Sequence, residues 1–382
     1  MDRDKLHRLL KLGFEKGASD IHFQVGYLPL YRFNGELIEL KYKVLTAEDT
    51  AAIAEMLMEN DSKRFAEGFN EVDLAYEIPS EGRFRVNISR ERRCYNIVLR
   101  VIPLQIRGFE ELNLPRVVCD IANLRRGLGL VTGPTGMGKS TTLAAMINYI
   151  NKTRKTKIVT VEDPVEFVFR HDRSIITQRE IGTDTEGFAT ALRAALRQDP
   201  DVIMVGEMRD VETVDTALKA AETGHLVLSS IHTSDVAKTI GRLLSFFPPE
   251  EQQNVRLRLA DNLMAVISLR LLLNKKETSR IPAVEVMRTT RTIQECVKDP
   301  KRTHEIAEFI AKGRSDHGMQ TFDQHVLDLY RANKISLQTA RAAATNVADF
   351  ETQLTLEGEP SPAPTDDRES VMVLDDELSE RF

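Results

Sequence analysis

The sequence predicts an α/β fold: a parallel-sheet, phosphate-binding domain preceded by a small α+β module and followed by a helical region. Three observations carry that reading. The glycine-rich octapeptide Gly133-Pro-Thr-Gly-Met-Gly-Lys139-Ser140 stands between a short apolar run and a helical stretch. Between residues 117 and 290, apolar runs at 129–132, 157–161, 202–205 and 226–231 each end in a polar loop, the rhythm of buried parallel strands. Before residue 105 the apolar positions instead alternate with polar ones, the period of an antiparallel sheet with one wet face.

In chain order, Leu6, Leu9, Leu10 and Phe14 form one helical stripe that stops at Gly17. Alternating segments follow at 20–25, 30–33, 83–89 and 95–102, with a helix expected over 47–58. The domain assignment is 1–105 for the α+β module, 106–116 for a linker and 117–290 for the parallel-sheet domain. A helical region is expected over 291–357. The tail, 358–382, is proline-rich and then acidic, a composition that predicts disorder.

The chain has 382 residues, 42% hydrophobic and 29% charged, the balance of a globular protein with more than one domain. Its net charge of −6 gives no global attraction to nucleic acid, and none is expected as a partner. The apolar runs are too short to span a bilayer, and the charged N-terminus MDRDKLHRLLKLGFEKG does not read as a signal peptide. Cys94, Cys119 and Cys296 are scattered and form no CxxC pair, which fits a reducing, cytoplasmic compartment.

The octapeptide is a complete phosphate loop. Its cradle is Gly133, Pro134, Thr135, Gly136, Met137, Gly138, Lys139, Ser140 and Thr141. Glycines let backbone N–H groups turn inward around phosphates at a helix N-terminus. Lys139 supplies a charge to the β- and γ-phosphates, and the Ser140 hydroxyl is placed to hold Mg²⁺. ATP and Mg²⁺ are therefore the expected substrate and cofactor. Glu207 ends an apolar run, where an acid can handle water or metal; Asp210 and Glu212, next along, read as helix caps. A second acidic turn, Glu162-Asp-Pro-Val-Glu166, should reach the same sheet edge. His225 opens the last run and His232 closes it, about 23 Å apart, too far to share a zinc ion. His232 reads as a sensor of the γ-phosphate or of water.

These motifs in order resemble the secretion-type AAA-like ATPases, and within them the type IV pilus retraction motors of the PilT/PilU kind. The resemblance runs over residues 1–357, through GASDIHF (17–23), GRFRVN (82–87), TVEDPVEF (160–167), QREIG (178–182), RQDPDVIMVGEMRD (197–210), AAETGHLVLSSIHT (220–233) and GMQTFDQ (318–324). The stretch 304–324 and the tail look closer to PilU, and the AIRNLIRE-like segment typical of PilT is not recognisable. The tetracysteine element and extra N-terminal domains of extension motors are also missing, which favours the retraction branch.

The resemblance implies a PAS-like N-terminal domain joined flexibly to a RecA-like ATPase domain, and assembly as a homo-hexamer. It implies a Walker B role for Glu207, a candidate base in Glu166, and a histidine pair in His225 and His232. Arg85 and Arg100 match arginines that serve the nucleotide from the N-terminal domain. The implied function is pilus retraction and twitching motility through an inner-membrane platform protein. The motor would lie at the inner face of the inner membrane and associate with it only through partners. The alternative is an accessory nucleotide-binding ring that docks on a paralogous retraction ATPase.

Overall fold

The computed structural model describes residues 1–33, 35–59, 62–79, 82–102 and 105–356; the tail assigned to 358–382 lies outside them. Residues 1–105 form one compact unit, and a second begins at Ile106.

The first unit contains α1 (Arg3–Glu15), β1 (Asp20–Phe23), β2 (Leu30–Phe33), β3 (Glu36–Glu39), α2 (Ala47–Leu57), α3 (Ser62–Glu67), β4 (Glu71–Ile78), β5 (Gly82–Glu91) and β6 (Cys94–Ile102). Its antiparallel sheet runs β3-β2-β1-β6-β5-β4. Alternation in β5 buries Phe84, Val86 and Ile88 completely and leaves Arg85 exposed. Leu6, Leu10 and Ile53 from α1 and α2 close over the same face. A capping box starts α2, with Thr46 and Asp49 exchanging hydrogen bonds. Strands β3 and β4 were not expected. The acids of Glu71-Val-Asp-Leu-Ala-Tyr-Glu-Ile78 lower strand propensity, and pairing with β5 overrides that.

The second unit opens with α4 (Val117–Ala122), β7 (Gly127–Thr132), α5 (Lys139–Thr153), β8 (Lys157–Glu162), β9 (Ile175–Glu180), α6 (Phe188–Ala195) and β10 (Val202–Val205). It continues with α7 (Val211–Glu222), β11 (Leu226–Ile231), α8 (Val236–Ser245), α9 (Pro249–Asn262), β12 (Leu263–Leu273) and β13 (Arg280–Arg288). Among the described residues, six α-helices follow: α10 (Arg291–Lys298), α11 (Ile306–Lys312), α12 (Arg314–His317), α13 (Phe322–Arg331), α14 (Leu337–Ala343) and α15 (Val347–Leu356). The sheet order is β13-β12-β7-β11-β10-β8-β9, with β13 alone antiparallel to its neighbour. This doubly wound sheet is the RecA-like architecture that the family resemblance implies.

Residues 106–116, expected as a linker, are part of this unit: Ile106, Phe109, Leu112 and Leu114 pack on its core. Strands β9, β12 and β13 were also missed. The run Leu-Met-Ala-Val-Ile-Ser-Leu-Arg-Leu-Leu-Leu of β12 has no strand period, and a continuous apolar run reads equally well as a buried helix. Asp210 does cap α7, accepting from the Thr213 N–H at 2.8 Å. Glu212 does not cap; it pairs with Arg193 of α6.

Phe84→Ala should cost about 3–5 kcal/mol, while Leu37→Ala, on the exposed strand β3, should stay within about 0.5 kcal/mol. Urea unfolding of both variants measures the contrast.

Candidate nucleotide site

Parallel pairing brings the carboxyl ends of four strands to one edge. Ile231 stands beside Thr132, Val205 beside Ser229, and Val205 beside Val161. The segments beginning at Gly133, Glu162, Gly206 and His232 therefore emerge together, where ligands of open α/β sheets bind.

The phosphate loop occupies residues 133–138 between β7 and the 15-residue helix α5. Gly133 passes so near the Leu269 carbonyl of β12 that a Cβ would lie 2.8 Å from the oxygen. Gly138, the residue before α5, has φ 87°, in the left-handed region that favours glycine. A Cβ there would meet nothing within 4 Å, so backbone conformation and not space selects glycine. Met137 anchors the loop from below, its Sδ accepting from the Leu271 N–H at 3.3 Å.

Lys139 is buried, and its Nζ donates to the carbonyls of Gly133 (2.9 Å) and Pro134 (3.0 Å). Burial lowers its pKa, and the charges of Glu207 and Glu166 pull the other way. The same Nζ lies 3.4 Å from His232 Nδ1, which the Thr135 hydroxyl also approaches at 3.4 Å. His232 Nε2 is 3.3 Å from Glu207 Oε2. An ammonium can only donate, so Nδ1 accepts and Nε2–H points at the carboxylate: the geometry assigns the neutral Nε2–H tautomer. This bridge follows from strand order. Because β11 is inserted between β7 and β10, the residue after it stands between the phosphate loop and Glu207.

Two further residues shape the site: Arg209, to which the sequence reading gives no role, and Glu162, which it places only in the acidic turn. Arg209 pairs with the Glu207 carboxylate, whose hydrogen bond raises the guanidinium's pKa. Glu162 is buried, and its pKa is pushed up to about 7 by desolvation, against hydrogen bonds from Thr160, Gln178 and the Glu166 N–H. Gln178, on the unforeseen strand β9, holds this acidic turn through Glu162, Phe167 and Phe169. A charged residue inside a strand-terminal motif was the available signal for both.

Glu166 itself is exposed, and its carboxylate acts on Lys139 through charge. Ser140 and Thr141 open α5 as expected. His225 is not brought to this edge. It precedes the other end of β11, with Nδ1 2.9 Å from the Ala220 carbonyl at the close of α7. In the first unit Arg85 and Arg100 face each other across β5 and β6, and Arg100 Nε donates to Asp20 at 3.1 Å. With Asp73 and Asn87 they line a depression of about 250 Å³.

The donor set fits a nucleoside triphosphate: a glycine cradle at a helix N-terminus, a buried ammonium, and a carboxylate joined to it through an imidazole.

The family model for type II/IV secretion system proteins matches residues 4–357. The type IV pilus retraction ATPase PilT of Pseudomonas aeruginosa is 42% identical over 342 residues, covering 90% of this chain and 98% of that one. The type IV pilus ATPase PilU of the same organism is 36% identical over 356 residues, covering 93% and 92%. Among solved structures, the pilus retraction motor PilT with bound ADP superposes with a TM-score of 0.82 at 41% identity, covering 90% and 98%. The ATPase DotB of Legionella pneumophila superposes with a TM-score of 0.74 at 27% identity, covering 90% and 95%.

Glu162→Gln should change the pH profile of stability. A carboxyl whose folded pKa exceeds its unfolded value binds its proton more tightly when folded, so stability falls as pH rises from about 4.5 to about 7. The variant should gain Tm over the parent at pH 8 and lose that gain at pH 4.5; thermal scans at both values check it. His232→Ala, which breaks the bridge from Lys139 to Glu207, should lower ATP turnover by about 10²-fold.

Proposed function

The chain belongs to the type II/IV secretion system protein family, within its PilT/PilU branch, and is an ATPase; we propose that it drives type IV pilus retraction as a hexameric motor. The observation that carries this is the complete Lys139–His232–Glu207 constellation in a chain matching a retraction ATPase over 98% of that protein's length.

The residues divide the work. The backbone of 133–141 and the Lys139 ammonium bind the β- and γ-phosphates, Lys139 exchanging its bonds to the Gly133 and Pro134 carbonyls for phosphate oxygens. The Ser140 hydroxyl would hold Mg²⁺, which would supply neutralisation of phosphate charge. Glu207 orients the attacking water and receives its proton, with Arg209 fixing the carboxylate. His232 reads the γ-phosphate, because a ligand competing for Lys139 breaks its present contact. Glu166 stands by as the second candidate base, and its backbone is held by Glu162. Arg85 and Arg100 answer the charge that develops on the transferred phosphoryl group; Arg100 must then leave Asp20.

Hydrolysis around a ring of six copies would move the inner-membrane platform protein and withdraw pilin. The motor works from the cytoplasmic face and meets the membrane through that partner. Among the described residues, no helix is long and apolar enough to cross a membrane. The 36% identity to PilU over 92% of its length favours one second reading, an accessory ring assisting a paralogous motor.

ATP turnover measured against protein concentration, with mass determined in parallel, separates these. The motor reading expects activity only with a six-subunit species, and a loss of about 10²–10⁴-fold in Glu207→Gln. A ring that binds ATP but hydrolyses almost none would give the accessory role the lead. Full activity as a monomer would sink both.

A further inference from the structure

We infer that Glu285 is a positioning residue for hydrolysis: its buried carboxyl ties the strand that feeds the phosphate loop to the loop that carries His232. Strand β13 reads Arg280-Ile-Pro-Ala-Val-Glu285-Val-Met-Arg288, and this lone acid is only 7% exposed between two fully buried valines. A carboxyl in such a place is strongly disfavoured unless its oxygens are bonded.

Its partners are specific. Ser268 of β12 is in direct register with Thr132 of β7 on one side and with Glu285 of β13 on the other. Thr132 and Ser268 are both completely buried, and their hydroxyls lie 2.9 Å apart. Glu285, directly opposite Ser268, presents its side chain on the same face of the sheet. Glu285 Oε2 then accepts from the backbone N–H of Val236 at 2.9 Å. A row of side chains thus crosses three strands, from the residue before Gly133 to the first residue of α8.

Residues 232–235 span the short gap between β11 and α8, so their position is set by those two ends. Asp235 caps the Lys238 N–H, leaving the Val236 N–H among the orphan donors of the helix start. Glu285 takes it. The charged groups facing the carboxyl are Asp235 and Arg270, the latter stacked 3.8 Å from the Phe322 ring centroid. The row fixes the entry of the phosphate loop relative to His232, two parts that must meet the same phosphate.

The inference rests on the ATPase chemistry above and not on what the motor moves. The test is steady-state turnover and mant-ATP affinity of the full chain carrying Glu285→Gln, Glu285→Leu or Val236→Pro. Glutamine keeps an acceptor oxygen and should hold turnover within about threefold, whereas leucine should lower it about tenfold with affinity nearly unchanged. Proline is well accepted at a first helical position, and Asp235 is already extended at φ −160°, so Val236→Pro deletes the donor, and Val236→Ala controls for the buried side chain that it also replaces. It should reproduce the selective loss and add nothing to Glu285→Leu. If the leucine variant fails to fold, Val236→Pro against the parent decides. Normal turnover in Val236→Pro, equal loss of turnover and affinity, or additive losses would overturn the role. A parent chain without turnover would instead overturn the motor reading.

Discussion

Gly133 passes the Leu269 carbonyl at a separation that no side chain survives, and the site depends on that approach. Strand β7 lies between β11 and β12, so the loop that leaves it turns over a floor of β12 backbone. Met137 grips the same floor through Leu271. With its base fixed, the loop points α5 and Lys139 toward the edge where the other strands end.

Charge in the site is arranged around one buried ammonium. Lys139 is desolvated, which disfavours its charge, and the carboxylates of Glu207 and Glu166 restore part of that loss. Bonding to two carbonyls and one imidazole keeps the ammonium satisfied until stronger acceptors arrive. Phosphate oxygens are such acceptors, since a doubly ionic hydrogen bond outweighs one to a neutral carbonyl. The same imidazole also lies against Glu207, so Lys139 and this acid share one neighbour. Glu162 sits behind this pair with its pKa near neutrality, a buried acid that shapes its turn through hydrogen bonds rather than charge.

The amino-terminal unit applies the same economy of faces. Period-two alternation gives β5 an apolar side for the core and a polar side bearing Arg85, and β6 does the same with Arg100. Directly opposed arginines repel, and Asp20 beside Arg100 offsets the repulsion. Both arginines thereby sit on an exposed surface at little cost to the fold.

The sequence by itself determined the features that rest on local chemistry. The glycines and Lys139 of the phosphate loop, the α5 start, the cap at Asp210, the parallel run ending at Glu207, and the polar face of β5 all follow from spacing within a few residues. Tertiary structure decided the rest. An apolar run such as β12 has no period to distinguish strand from helix, so the floor of the loop became visible only through its pairing with β7 and β13. His225 and His232 look alike in the sequence, yet only His232 adjoins the carboxyl end of the sheet; which end a residue occupies depends on strand direction. Glu162 and Glu285 are ordinary acids in composition, and burial, helped by the nearby carboxylates of Glu166 and Asp235, raised their proton affinity. Long-range register, strand order and burial are properties of the assembled sheet, and no window of neighbouring residues contains them.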